Sequence, residues 1–86
     1  MKLLRKQLFR PVNDPLGMPR ELNRLAEELV SEGYHVEHRG LAIVLKLEDG
    51  EIHFVAGDKG IWEHVFLKNG KGEPNHATES LFLYSL

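Results

Sequence analysis

The stretch LAIVLKLEDGEIHFVAGDKGIWEHVFL, residues 41–67, decides the fold, because apolar side chains recur in it at every second position. A period of two is that of a β-strand with one buried face. Two turn signals interrupt the alternation, one at Asp49-Gly50 and one at Gly-Asp-Lys-Gly, residues 57–60. The stretch therefore predicts three consecutive antiparallel strands joined by short turns.

The Asp49-Gly50 pair also predicts the register of the first hairpin. A two-residue type I′ turn needs positive φ at both central positions, and Asp and Gly favour that conformation. Such a turn would place Leu45 opposite Phe54 on the face that packs against the core.

One helix precedes these strands, in the segment MPRELNRLAEELVSEG, residues 18–33. Its apolar stripe has the spacing i, i+3, i+4 and i+7, and consists of Leu22, Leu25, Ala26 and Leu29, with Val30 widening it. Pro19 fits the first helical turn and Gly33 fits a left-handed C-terminal cap. We therefore predict a helix over about Arg20 to Glu32.

Together these elements predict an α+β fold, in which one amphipathic helix packs on an antiparallel β-meander of about four to five strands. All 86 residues are expected to form one domain. The basic lead segment, residues 1–18, is either an edge strand or a helical arm. The C-terminal segment HATESLFLYSL, residues 76–86, is either a strand or a short helix, and its lack of a helical stripe favours the strand.

Charge is distributed unevenly along the chain, although the net charge is only −2. Residues 1–20 hold five basic residues and one acidic residue, whereas residues 21–86 hold six basic and twelve acidic residues. The lead segment can thus bind anions, the acidic remainder can bind a basic partner, or the two can pair internally.

Composition and the N-terminus indicate the compartment. The chain has no cysteine, so it has neither a disulfide framework nor a thiolate metal site. Arg5 and Lys6 interrupt the apolar residues of MKLLRKQLFRP before a signal-peptide core can form, and no stretch has the length of a membrane span. We therefore expect a cytoplasmic protein that does not bind a membrane.

The segment GYHVEHRG, residues 33–40, contains two of the five histidines. On a strand, His35 and Glu37 share one face and His38 lies on the other, so the two histidines cannot hold one ion as a helical H-E-x-x-H motif does. We interpret them as polar residues on the solvent side of a sheet. An alternative is a zinc site in which His35 and Glu37 join His53 or His64.

Sequence motifs for catalysis are lacking. The serines at 31, 80 and 85 lie in no G-x-S-x-G motif, and the glycines form no phosphate-binding loop. We therefore expect a non-enzymatic protein without a cofactor.

The excess of acidic residues in residues 21–86 makes nucleic-acid binding unfavourable. A resemblance to one family nevertheless points to this function. The order helix, Gly-Tyr, strand, strand, Asp-Gly turn, strand, over about residues 19–56, resembles the HicA-type toxins, small double-stranded-RNA-binding-like domains that cleave mRNA with a strand histidine. The resemblance implies His38 or His53 as the catalytic residue. The chain lacks that family's Gly-Ser-His segment, and its C-terminal third resembles strands instead of a second helix.

Protein recognition is the function that the sequence favours. If Ile61, Val65 and Leu67 face the helix, the alternating residues of the same strand face outward and form an apolar surface with residues of neighbouring strands. The predicted partner-binding residues are Trp62, His64, Phe66, Val44, Val55, His35 and Glu37. Two alternatives remain: a chain terminus covers this face, or the chain self-associates as a homodimer through the face or an unpaired sheet edge.

Overall fold

The computed structural model describes residues 2–68 of the chain and confirms the α+β fold, with one helix packed on a five-stranded antiparallel sheet. In chain order the elements are β1 (Lys2–Pro11), a short 3-10 helix (Pro15–Gly17), α1 (Met18–Ser31), β2 (His35–His38), β3 (Ala42–Lys46), β4 (Gly50–Gly57) and β5 (Gly60–Leu67). The strand order in the sheet is β1-β5-β4-β3-β2. The prediction for residues 76–86 lies outside the described residues.

Helix α1 buries the predicted stripe and one further residue, Met18. The prediction was wrong for Val30, which is 58% exposed, because the 100° rotation per residue carries it past Leu29 and beyond the edge of the stripe. Gly33 has φ 95°, as the predicted cap requires. Its N–H donates to Val30 O, and Tyr34 N–H donates to Leu29 O, which ends the helix in a Schellman motif.

The hydrophobic core lies between α1 and the sheet. On the sheet side it is formed by inward-facing residues of the three central strands, namely Ile43, Leu45, Ile52, Phe54, Ile61 and Val65. These belong to the alternating set that the sequence predicted to face the helix.

The predicted register of the β3–β4 hairpin was wrong. Leu45 pairs with Ile52 instead of Phe54, and four residues, 47–50, separate the paired residues Lys46 and Glu51. Positive φ occurs at neither Asp49 nor Gly50, so no type I′ turn forms. Gly50 instead lies in β4, where a Cβ atom would collide with the carbonyl oxygen of Phe66. Because the shift is two residues, every side chain keeps its predicted face.

The lead segment forms an edge strand, which was one of its two predicted states. β1 pairs with β5, and register shifts at Leu4 and Phe9 bring both side chains against the core. The Phe9 and Phe54 rings meet edge to face with centroids 4.9 Å apart.

Internal charge pairing accounts for two basic residues of the lead segment. Arg5 pairs with Glu63 at 2.8 Å, and Arg10 pairs with Glu28 at 3.2 Å and with Glu21 at 3.9 Å.

Within residues 2–68, no helix combines the length and the apolar character needed to cross a membrane.

Candidate binding face

The side of the sheet opposite α1, here called the outer face, carries all seven predicted partner-binding residues. Strand pairing arranges its side chains in three rows that run across the strands. The first row consists of Leu8, Trp62, Val55 and Ala42; the second of Lys6, His64, His53, Val44 and Glu37; the third of Leu3, Phe66, Glu51, Lys46 and His35.

Trp62 lies in the first row and is partly buried. Its indole N–H donates to the carbonyl oxygen of Asp58 at 2.7 Å. Its ring rests on Gly57, where a Cβ atom would come within 2.8 Å of the indole. The absence of a side chain at Gly57 therefore makes room for the indole. Trp62 and Val55 line a shallow hollow of about 310 Å³.

Two large apolar residues of β1 extend this surface. Leu8 pairs with Trp62 and Leu3 pairs with Phe66, and these leucines are 36% and 50% exposed. These two apolar pairs lie on the same two strands, one on each side of the Lys6–His64 pair, and Leu3, Leu8, Trp62 and Phe66 are here called the apolar patch. Sequence reasoning missed the two leucines because nothing in the local pattern of the lead segment shows that it pairs with β5.

Two histidines occupy the middle of the second row. His64 lies between Lys6 on β1 and His53 on β4 in the strand pairing. Burial lowers the pKa of His64 from its usual 6.5, and the nearby charges of Lys6 and His53 lower it further. The His53 ring also contacts the Phe66 ring, with centroids 4.7 Å apart. The surroundings of His64 on the outer face therefore favour its neutral form.

Glu51 lies in the third row and was not among the predicted partner-binding residues. Its carboxylate accepts hydrogen bonds from Lys46 Nζ at 2.9 Å and pairs with His53 Nε2 at 2.8 Å. These bonds, that of His53 first, outweigh burial and lower the pKa of Glu51 from 4.5 to about 2. The sequence did not indicate these contacts of Glu51, because Glu51 faces Lys46 only in the register that the hairpin adopts and not in the predicted register.

The predicted residues differ in accessibility. Val44 is only 1% exposed, so it contributes almost no surface to a partner although it lies on the outer face. Val55 and Glu37 are partly exposed, and His35 is exposed. Arg39 pairs with Glu37 at 2.9 Å.

The two histidines implied by the HicA resemblance lie on opposite faces of the sheet. His38 is exposed on the helix side at the β2 edge, whereas His53 lies on the outer face beside Glu51. The segment after β4 is a strand, β5, where that family has its second helix.

For the zinc alternative, the sheet separates the proposed ligands. His35 and Glu37 lie on β2, whereas His53 lies on β4, with β3 between them. Among residues 2–68, no group of three or more histidine or acidic side chains is placed to hold a metal ion.

Comparison with known proteins adds no assignment, because no protein family, curated protein or solved structure matches this chain.

Proposed function

We propose that this chain is a small protein-binding module that regulates or inhibits a partner protein, and that it binds this partner through the outer face. The observation that supports the proposal is the apolar patch, in which Leu8 pairs with Trp62 and Leu3 pairs with Phe66 across β1 and β5. Aromatic side chains on a rigid strand lose little conformational entropy on binding and often dominate interface energies.

Polar groups within the patch supply a means of selecting the partner. Lys6 and His64 lie between the two apolar pairs, since they form the intervening cross-strand pair of the same two strands. A partner segment that covers the patch must therefore place apolar groups on either side of a hydrogen-bond acceptor or a carboxylate. Such a mixture of apolar anchors and central polar contacts is typical of specific protein interfaces.

The chemistry of the outer face favours binding over catalysis. A general base works best when its pKa lies near the pH at which it operates, and Glu51, with a pKa of about 2, is far from neutral pH. Its contacts with Lys46 and His53 instead hold three side chains in fixed positions. A small rigid face of this kind acts by occupying a surface of its partner, which is why we assign a regulatory or inhibitory role.

Affinity capture from the host, followed by calorimetry with the identified partner, tests the proposal. Trp62→Ala and Phe66→Ala should each weaken binding at least about tenfold, as expected for interface anchors. Leu16→Ala is the matched control, because Leu16 is 90% exposed but lies in the segment before α1.

Circular dichroism and the melting temperature establish whether each variant folds. Folded Trp62→Ala and Phe66→Ala variants that bind the partner as the wild type does would contradict the proposal. Unfolding of both variants would also contradict it, because the two rings would then be core residues and not a binding surface.

A further inference from the structure

Strand β2 forms one edge of the sheet, and within residues 2–68 no strand pairs with its outer side. Arg39 and Ala42 exchange backbone hydrogen bonds, with N to O distances of 2.9 Å and 3.1 Å. Because hydrogen-bonded pairs alternate along an antiparallel ladder, Glu37 and His35 bond to β3, and Val36 and His38 direct their N–H and C=O groups away from it. This edge therefore presents the backbone groups needed to pair with another strand.

The two sheet edges differ in how well they can accept a strand. β1 carries two bulges, ends in Pro11, and has Lys2 and Lys6 along its length. Bulges, prolines and lysines are among the features that protect an edge from pairing. β2 has a regular register to β3 and contains neither proline nor lysine. Pairing is therefore expected at β2.

The sequence of β2 is complementary to itself in one antiparallel register. If two copies pair about a two-fold axis at Val36, the two Val36 residues face each other and His35 of each copy faces Glu37 of the other. These two His35–Glu37 contacts are favourable cross-strand pairs on the outer face. An axis at Glu37 would instead place two carboxylates opposite each other. Charge thus favours the register centred on Val36 over the register centred on Glu37.

An apolar surface beside β2 supports the same arrangement. A groove of about 410 Å³ runs between α1 and the β2 edge and is lined in part by Ala26, Val30 and His38. Val30 is 58% exposed at this groove, and Val36 projects to the same side of the sheet. A strand added to β2 would lie along the groove and remove Val30 from water.

We infer that two copies of this chain form a dimer through antiparallel pairing of β2, with the two-fold axis at Val36. The product is one continuous sheet with both helices on one side and both outer faces on the other. This inference does not rest on the proposed function, because β2 pairing leaves the apolar patch of each copy uncovered. If both proposals hold, the dimer displays two copies of the patch on one surface and binds a repeated partner with higher avidity.

Single cysteines test the register, since the chain contains none. Directly opposed Cα atoms of a hydrogen-bonded pair lie about 5.5 Å apart, within disulfide range, so Val36→Cys should form a linked dimer on mild oxidation. His38→Cys is the matched control on the same edge. In this register the Cα atoms of position 38 in the two chains would lie about 14 Å apart, so this variant should not form a disulfide-linked dimer.

A second pair of variants lies on the outer face and leaves the apolar side of β2 unchanged. His35→Cys and Glu37→Cys should give little linked dimer when each is oxidised alone, because identical positions are offset along the strands. Oxidation of the two variants together should produce a mixed dimer. This mixed oxidation tests the same register even if Val36→Cys fails to fold.

Sedimentation equilibrium of the wild-type chain completes the test and should show a reversible dimer. A monomer at all concentrations up to the submillimolar range would overturn the inference. So would equal linking of Val36→Cys and His38→Cys, which indicates random collision, or a mixed sample of His35→Cys and Glu37→Cys that fails to link.

Discussion

The guanidinium of Arg5 lies 2.8 Å from the carboxylate of Glu63 on the helix side of the sheet, where Glu63 is only 1% exposed. Gln7 Nε2 donates to the same carboxylate oxygen at 3.2 Å. These contacts join residues 58 and 56 positions apart in the chain. They hold β1 against β5 in the register that assembles the apolar patch.

Removing the guanidinium should destabilise the chain strongly. Arg5→Met removes the guanidinium that pairs with the buried Glu63 carboxylate, and we expect a loss of about 3 to 5 kcal/mol in the free energy of unfolding measured with urea. Arg10→Met is the control, since the ion pairs of Arg10 are partly exposed and should contribute less than about 1 kcal/mol. Equal losses in the two variants would contradict this account.

A double variant separates the cost of removing the cation from a buried ion pair from the cost of lost packing. In Arg5→Met/Glu63→Leu no charge remains to be buried, so the double variant should recover most of the stability lost in Arg5→Met. A double variant as unstable as Arg5→Met would show that the guanidinium acts by packing alone.

Glu51 should make stability depend on pH in the acid range. Its folded pKa is about 2, whereas the usual value is 4.5, so its stabilising effect is complete above pH 4.5 and is lost as pH falls toward 2. After solvent screening on the outer face we expect about 1 to 2 kcal/mol.

Urea unfolding of the wild type and Glu51→Gln at several pH values tests this dependence. The difference between them should be constant above pH 5 and shrink below about pH 4.5. A difference that stays constant down to pH 2 would show that the carboxylate does not titrate in this way.

His64 should oppose folding in mildly acidic solution. Its folded pKa lies below 6.5, so the unfolded chain takes up a proton first, and stability falls as pH drops below 6.5. A histidine NMR titration should give a pKa below 6.5 for His64, and Lys6→Met should raise that pKa without fully restoring it, because burial remains. A value at or above 6.5 in the wild type would contradict the placement of His64.

Gly50 and Gly60 should tolerate no side chain. A Cβ atom at Gly50 would collide with the carbonyl of Phe66, and one at Gly60 would collide with the backbone of β1. Gly40→Ala is the control, since Gly40 has φ 60° and open space around it, and should cost about 1 kcal/mol from backbone strain alone.

We expect Gly50→Ala and Gly60→Ala to cost at least about 2 kcal/mol more than the control in thermal or urea unfolding. Similar stability of all three alanine variants would mean that β5 does not approach β4 at Gly50 or β1 at Gly60 so closely.

The RNA-cleaving alternative makes an opposite prediction to protein binding. If the outer face is a binding surface, the purified chain should leave RNA intact under conditions in which a ribonuclease cleaves it. Cleavage that His38→Ala or His53→Ala abolishes would instead assign the chain to that alternative.

The sequence alone determined the features that depend on local periodicity. The helix follows from the stripe of Leu22, Leu25 and Leu29, and its end follows from Gly33, because both need only neighbouring residues. The face on which Trp62 lies is equally local, since alternation along a strand fixes it and even a two-residue register shift preserves it.

Only the tertiary structure decided which strands meet and in what register. The β3–β4 register depends on the close approach of Gly50 to β5, and the position of β1 depends on a pairing with β5 across most of the described chain. Those contacts decide that Glu51 meets Lys46 and His53. No local pattern carries this information, because the pairing energy of a sheet arises between residues distant in sequence.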